Sequence, residues 1–172
     1  MLIVEDGSGL PNANAYVNIA WVEEYLVGDH LQAFTALTEL KKEAVIIVAT
    51  RYIDGVYPWK GKRKTLEQSL SWPRVEVVIE GFTITGVPSA VMRAVAEAVS
   101  LSIDNPDGLF NADNDRIVVA EKVDTLSQTY LYGKQAGKET ITKFEVLDKV
   151  LKGLYRLDTN SSSVGCSKVV RV

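Results

Sequence analysis

Four cationic side chains fall within five residues near the middle of the chain, in the stretch YPWKGKRKTLEQSLSWPR. Lysine and arginine bind phosphate and aromatic rings stack on bases, so this composition is typical of a groove for single-stranded nucleic acid. Aromatic residues beside prolines also pack beneath a loop and anchor it. This basic loop, residues 57–74, therefore has three interpretations: a solvated structural loop, a contact with another protein subunit, or a nucleic-acid site. Its cations are Lys60, Lys62, Arg63, Lys64 and Arg74, its further aromatic residue is Tyr57, and its expected anchors are Trp59 and Trp72.

Few other residues are of types that catalyse reactions or bind metals. His30 is the only histidine and Cys166 the only cysteine. One imidazole cannot form a two-histidine metal site or a histidine relay within one subunit. The aspartates of residues 104–115 lack the spacing of a calcium loop, and Gly7 and Gly9 lack that of a phosphate-binding loop. We expect no catalytic residue, no metal site, no cofactor and no enzymatic activity.

Positive charge is concentrated in two places in an otherwise acidic chain. The formal net charge is −3 and the pI is about 5.3, which disfavours a protein that coats DNA. Residues 60–74 nevertheless carry five cations and one acid, and residues 164–172 carry two cations and no acid. An acidic body with two cationic elements suits contacts between identical copies.

The composition predicts a folded, water-soluble protein made in the cytoplasm. The chain is 47% hydrophobic and 24% charged, near the average of globular proteins. Its longest apolar run, at 44–49, is far shorter than the roughly 20 residues that cross a bilayer, so we expect no membrane contact. No signal segment is recognised at the start, and Cys166 has no partner for an internal disulfide.

Helical periodicity predicts four longer helices. The first two have a polar N-cap and a glycine at the end, and the third has Pro88 in its first turn and ends before Asn105. The β-branched run at 45–48 requires packing to remain helical. The first helix runs over about 19–27, between Asn18 and Gly28, and the second over 38–54, between Thr38 and Gly55. The fourth runs over about 140–156.

The remaining elements are shorter. Thr65 and Gln68 have the spacing of a capping box, which predicts one or two helical turns at 65–70. Residues 75–84 predict a β-hairpin that turns at Glu80 and Gly81 and places Val75, Val77 and Ile79 on one face. Residues 116–133 predict two short strands or one extended segment.

These elements predict a mainly α fold. We expect a small helical bundle with one or two short β-hairpins or extended loops and a flexible C-terminal arm. Residues 1–157 form the core, with an extended N-terminal segment and the basic loop, and residues 158–172 form the arm, which begins with small polar residues and ends in β-prone valines.

Four segments carry a family resemblance: VEDGSGLPNANAYV, ATRYIDGVYPWKGKRKTLEQSLSWPR, GVPSAVMRAVAEAVSL and EKVDTLSQTYLYG. In this order they resemble a family of tailed-bacteriophage head-tail connector, or neck adaptor, proteins, often catalogued as DnaT-like single-stranded-DNA-binding proteins. The resemblance covers about residues 2–132, and LEQSLSWPR is its most specific part.

The resemblance implies a structural virion protein. It would form a homo-oligomeric ring, usually twelvefold, beneath the portal protein in the neck between capsid and tail. There it would extend the DNA channel, dock the next neck or tail protein, and contact the DNA in its lumen weakly at most. The alternative function is a single-stranded-DNA-binding module.

The arm is the expected element of attachment. About fifteen residues span roughly 50 Å when extended, at ~3.3 Å per residue. We expect its valines to pack by strand addition on the portal or on an adjacent subunit, and its cations to pair with acidic groups. The binding residues of the arm are Lys168, Val169, Val170, Arg171 and Val172.

Overall fold

The computed structural model describes residues 1–104, residue 109 and residues 144–156. The strands expected within 116–133 and the arm expected at 158–172 lie outside the described residues. The division into a core and an arm therefore stays a prediction.

The described part of the chain is mainly α-helical, with two short antiparallel hairpins, which confirms the predicted fold class. The hairpins pair β1 with β2 and β3 with β4. The helices are α1 (Ile19–Tyr25), α2 (Gly28–Thr35), α3 (Glu39–Val56), α4 (Ser89–Asp104) and α5 (Glu145–Val150), and the strands are β1 (Lys62–Arg63), β2 (Arg74–Val75), β3 (Val78–Ile79) and β4 (Phe82–Thr83).

The core forms where α3 packs on α4 and α4 packs on α5. Ile46 and Ile53 of α3, Val95 of α4, and Leu147 of α5 are fully buried. Each such side chain contributes about 1.5–3 kcal/mol through removal from water, which is more than the helix preference that β-branched residues lose. Packing therefore holds α3 helical, as the sequence requires.

Local signals predicted α1 correctly but not the helix after it. Asn18 caps α1, since its Oδ1 accepts a hydrogen bond from the Trp21 backbone N–H at 2.8 Å. Gly28 was expected to end α1, whereas it adopts a φ of 60° and begins α2. The short helix α2, in which Phe34 is the only fully buried residue, was not predicted because its first residue, Gly28, resembles the glycine that ends a helix. His30 lies in α2 and is half-buried.

Two other predicted boundaries are wrong. α3 continues through Gly55 to Val56, because a glycine inside a helix is tolerated when the flanking turns are packed. Of the helix predicted at 140–156, residues 140–143 lie outside the described residues, and α5 covers only six residues of the rest. The chain leaves α5 in a turn that reaches Gly153, whose φ of 92° does not fit a helix.

The capping box forms without a helix. The Thr65 backbone N–H donates to Gln68 Oε1 at 2.9 Å, and the Gln68 backbone N–H donates to Thr65 Oγ1 at 3.2 Å. The predicted helical turns at 65–70 are absent, because the Ser69 backbone N–H bonds the distant Leu10 carbonyl instead. Tertiary hydrogen bonds have replaced the helical ones.

The hairpin at Glu80 and Gly81 is confirmed. Their φ angles of 52° and 85° are those of a tight turn with two left-handed residues. Its expected apolar face is only partly correct, because Val77 is 1% exposed and Val75 is 41% exposed. Glu76, between them, has a φ of 62°, which breaks the alternation and lets Val75 pair with Lys62 in the other hairpin.

A buried hydrogen-bond network joins three distant segments. The Tyr16 hydroxyl donates to Asp54 Oδ1, and the Ser71 backbone N–H donates to Asp54 Oδ2 at 2.8 Å. The Trp72 backbone N–H donates to the Tyr16 hydroxyl oxygen at 3.0 Å. Burial raises the pKa of Asp54 above its usual 3.8, and burial beside Asp54 raises the pKa of Tyr16 as well.

Tyr16→Phe tests this network. The change leaves the Trp72 N–H and one Asp54 oxygen without a partner, so we expect the free energy of unfolding to fall by about 1–3 kcal/mol. Tyr25→Phe is the matched control, because the half-buried Tyr25 hydroxyl bonds Glu97 at a place that water reaches. Urea unfolding measures both variants, and an equal loss in both would contradict the assigned role.

The raised pKa of Asp54 has a pH signature. A carboxyl whose folded-state pKa is raised favours folding most when protonated, so its contribution to stability falls as pH rises from about 3.8 through the folded-state pKa. We therefore expect the stability difference between wild type and Asp54→Asn to move against the wild type across that window. Asp6→Asn should give the opposite slope at lower pH, between the lowered pKa of Asp6 and about 3.8, because hydrogen bonds from Ser8 lower that pKa. Urea unfolding at a series of pH values measures both slopes.

Candidate interaction surface at the basic loop

The aromatic residues of the basic loop lie beneath it. Trp72 is fully buried, Trp59 is 6% exposed and Tyr57 is also buried. The rings of Trp59 and Trp72 meet edge to face at 5.8 Å, and those of Tyr57 and Trp59 lie 5.7 Å apart. Buried rings cannot receive bases, so these three residues are not a stacking platform in the described conformation.

The segment after α5 fastens the start of the loop. The Lys60 backbone N–H donates to the Leu154 carbonyl at 3.0 Å, and the Arg156 backbone N–H donates to the Pro58 carbonyl at 2.8 Å. The ring of Tyr155 packs edge to face on Tyr57 at 5.0 Å. Backbone pairing of this kind fixes the loop to the helical core.

Arg74 is a structural cation. Its Nε donates to the Lys60 carbonyl at 2.6 Å, its Nη2 to the Gly61 carbonyl at 2.9 Å and its Nη1 to the Ser71 carbonyl at 3.1 Å. Burial and the nearby Arg63 lower the pKa of the guanidinium. Its donors therefore join the two sides of the loop, and it is the least suited of the five cations to meet a partner.

The other four cations differ in how far they are engaged. Lys62 pairs with Glu76 at 2.9 Å, and both side chains are exposed, so the pair contributes at most about 1 kcal/mol. Lys64 Nζ donates to the Gly7 carbonyl at 2.9 Å. The side chains of Lys60 and Arg63 make no hydrogen bond or ion pair within the residues that the structure describes. Arg63 is exposed and Lys60 is half-buried, so Arg63 is the cation most available to a partner.

Exposed apolar side chains accompany the cations, and sequence reasoning missed them. Leu66 in the basic loop is 94% exposed, and Phe82 at the start of β4 is 73% exposed. Val78 of β3 and Val75 of β2 are exposed as well. Phe82 pairs with Ile79 directly after a tight turn, and no further described strand joins this two-stranded hairpin, so its position in the hairpin is the signal for its exposure.

Other kinds of site find no support among the described residues. No three His, Cys, Asp or Glu side chains come together there as metal ligands. None of the described helices is long and apolar enough to cross a membrane. The proposed binding residues of the arm, 168–172, lie outside the described part.

Gly61→Ala tests whether the conformation of the loop depends on this glycine. Gly61 has a φ of 71°, and a Cβ there would lie 2.3 Å from the Val75 carbonyl oxygen. We expect a loss of more than about 1–2 kcal/mol in unfolding free energy, since the left-handed conformation costs that much before any overlap is counted. Gly55→Ala is the matched control: its Cβ meets nothing within 4 Å inside α3, so it should stabilise by about 0.5–1 kcal/mol. Thermal or urea unfolding measures the stability of both variants. A Gly61→Ala variant as stable as the wild type would contradict the described conformation of the loop.

One of three comparisons with known proteins identifies the family of this chain. A family model described as "Putative DnaT-like ssDNA binding protein" matches residues 1–172. A search of curated proteins found no match, and a search of solved structures found none either. The description agrees with the alternative function drawn from the sequence and makes no mention of a connector. Since the match spans the whole chain, this protein belongs to the family that carries the description "Putative DnaT-like ssDNA binding protein".

Proposed function

We propose that the chain is a structural adaptor subunit at the head-to-tail junction of a bacteriophage particle. Identical copies form a ring on the portal protein, extend the DNA channel and dock the next neck or tail component. The observation that carries the proposal is the placement of the aromatic residues of the basic loop under the loop, while apolar side chains of the loop and hairpins face solvent. Such a surface suits a protein partner better than a nucleic acid.

The buried tryptophans weaken the nucleic-acid interpretation of the loop. Stacking of a base on an aromatic side chain contributes roughly 1–3 kcal/mol, and it is the sequence-tolerant part of single-strand binding. Trp59 and Trp72 cannot supply it while they are buried. Lys60, Lys62 and Arg63 are then left to bind phosphate by charge, in a protein whose net charge is −3.

The exposed apolar side chains support a protein contact. Leu66, Val78 and Phe82 lie on the loop or on the hairpin just after it, and each exposes more than half of its surface. Aromatic and aliphatic side chains of this kind form the cores of protein interfaces, with polar and charged residues at the rim. The cations of the loop are suited to that rim.

The charge distribution supports contacts between copies. The basic loop and residues 164–172 are cationic, whereas the rest of the chain carries a surplus of acids. In a ring, each subunit presents different surfaces to its two neighbours, so positive elements can face negative ones at every interface. The arm, residues 158–172, supplies the contact with the portal or with an adjacent subunit.

The proposal specifies where the protein acts and which molecules it contacts. The protein acts in the neck of the virion after synthesis in the host cytoplasm, without a cofactor and without covalent chemistry. Its partners are further copies of itself, the portal protein and the next neck or tail protein. Packaged DNA passes through the lumen with weak contact at most.

Single-stranded-DNA binding is the second candidate, and the description of the family favours it over the adaptor function. The side chains of Lys60 and Arg63 make no hydrogen bond within the described residues, and Phe82 is an exposed ring on which a base could stack. Such binding would weaken linearly in log–log form with salt, at about 0.7 per phosphate contact.

One variant discriminates between the two functions. We expect Lys60→Ser, Lys62→Ser, Arg63→Ser and Lys64→Ser together to impair assembly with copies or portal more than DNA affinity, while the retained Arg74 keeps the loop closed. The matched control removes four other exposed cations, by Lys41→Ser, Arg51→Ser, Lys149→Ser and Lys152→Ser.

Both variants are measured in two assays. Sedimentation with the cognate portal reports assembly, and fluorescence anisotropy of a labelled oligonucleotide at several salt concentrations reports DNA binding. Strong, stoichiometric DNA binding that the loop variant loses while it still assembles would reverse the order of the two functions.

A further inference from the structure

A surface cleft lies beside α1 and adjoins the basic loop, since Lys64 lies near Asp6 and the Tyr16 hydroxyl accepts from the Trp72 N–H. It has a volume of about 230 Å³ and is formed by the N-terminal segment, α1 and the chain around the start of α4. Val4, Trp21, Val87 and Met92 supply its apolar walls. A second depression of about 280 Å³ lies on the other side of Trp21 and is lined by Glu24 and Tyr25. We refer to the two together as the Trp21 cleft.

An aromatic ridge separates the two halves of the cleft. Trp21 and Tyr25 lie one helical turn apart, and their rings stack at 5.5 Å with an angle of 10° between their planes. The Tyr25 hydroxyl donates to Glu97 of α4 at 2.8 Å, which fixes the ridge against the core. Both rings are half-buried, so a rigid apolar surface faces solvent between two hollows.

The edge of the cleft is acidic. Asp6 and Glu24 are exposed, and hydrogen bonds from Ser8, with a smaller effect of the nearby Lys64 cation, keep the pKa of Asp6 below its usual value. The buried carboxylate of Glu5 accepts from the backbone N–H groups of the turn at residues 7–10 and so shapes this edge. Arg93 of α4 is a cation near Tyr25, on the side where Glu97 also lies.

Residues 164–172 have the complementary chemistry. Their sequence, VGCSKVVRV, contains four valines, two cations and no acid. Valine side chains are small enough for hollows of this size, and Lys168 and Arg171 are spaced so that cations flank the apolar pair between them. An extended segment places alternate side chains on opposite sides, which suits a ridge with a hollow on each flank.

We propose that the Trp21 cleft binds residues 164–172 of a second copy of the chain. This inference rests on the proposed assembly of identical subunits and identifies one of its contacts. Each subunit has both a cationic segment and an acidic cleft. Its cleft can therefore bind residues 164–172 of one neighbour, while its own residues 164–172 bind the cleft of the next neighbour. Such head-to-tail contacts close into a ring when the rotation between subunits allows it.

Disulfide trapping with the native Cys166 tests this contact between copies. The receptor is the full chain with Val87→Cys and Cys166→Ser, which keeps Asp6 and Glu24, and the donor is the wild-type chain, so a receptor–donor disulfide joins position 87 in the cleft to Cys166 of another copy. After mixing and oxidation with diamide, we expect about tenfold more of this product than with a Glu39→Cys, Cys166→Ser receptor, because bound segments have a raised effective concentration. Glu39 is exposed at the start of α3, outside the cleft.

Donor variants test the role of charge. Lys168→Glu with Arg171→Glu should reduce trapping to the level of the control receptor, whereas Lys168→Arg with Arg171→Lys should keep it. Mass spectrometry of the linked peptides identifies the product. Equal trapping at positions 87 and 39, or trapping that survives charge reversal, would overturn the inference.

The outcome is separable from that of the proposed function. Chains that assemble with portal but give no excess of the linked product overturn this contact and leave the adaptor function standing. Chains that give the product in solution but never join portal support the contact between copies and count against the adaptor function.

Discussion

The half-buried carboxylate of Asp54 ties together three distant segments of the chain. Asp54, near the end of α3, accepts hydrogen bonds from the Tyr16 hydroxyl and from the Ser71 backbone N–H, and Tyr16 in turn accepts from the Trp72 N–H. A carboxylate is costly to remove from water, and these donors offset part of that cost. With residues 71–72 held there, the Trp72 ring enters the core and Arg74 is placed to reach the carbonyls of the loop. The exposed surface of the basic loop thus depends on an interaction beneath it.

The sequence predicted what local chemistry determines. The cap at Asn18 and the turn at Glu80 and Gly81 involve residues within four positions of one another, and both formed as expected. Failures occurred where distant segments supply the partners. Ser69 bonds Leu10 instead of completing a helical turn, and α3 passes through Gly55 because tertiary packing supports it.

The same division applies to the candidate site. Residue types alone marked the cations of the basic loop and suggested Trp59 and Trp72 as anchors, and both rings lie under the loop. What each individual cation contacts could be learned only from the structure. The guanidinium of Arg74 donates to three backbone carbonyls. The side chains of Lys60 and Arg63 make no hydrogen bond within the described part of the chain. The Trp21 cleft had no sequence signal, because its walls come from three separate segments.

The three tryptophans of the chain occupy two kinds of environment. Trp59 and Trp72 form a buried edge-to-face pair, whereas Trp21 is half-buried on the surface ridge. Shielded indoles emit at shorter wavelengths and resist collisional quenchers, and closely paired indoles couple their transitions in near-ultraviolet circular dichroism. The protein therefore carries two intrinsic optical reporters: the dichroic signal of the pair follows the integrity of the loop, and the quenchable emission of Trp21 follows occupancy of the cleft, with no added label.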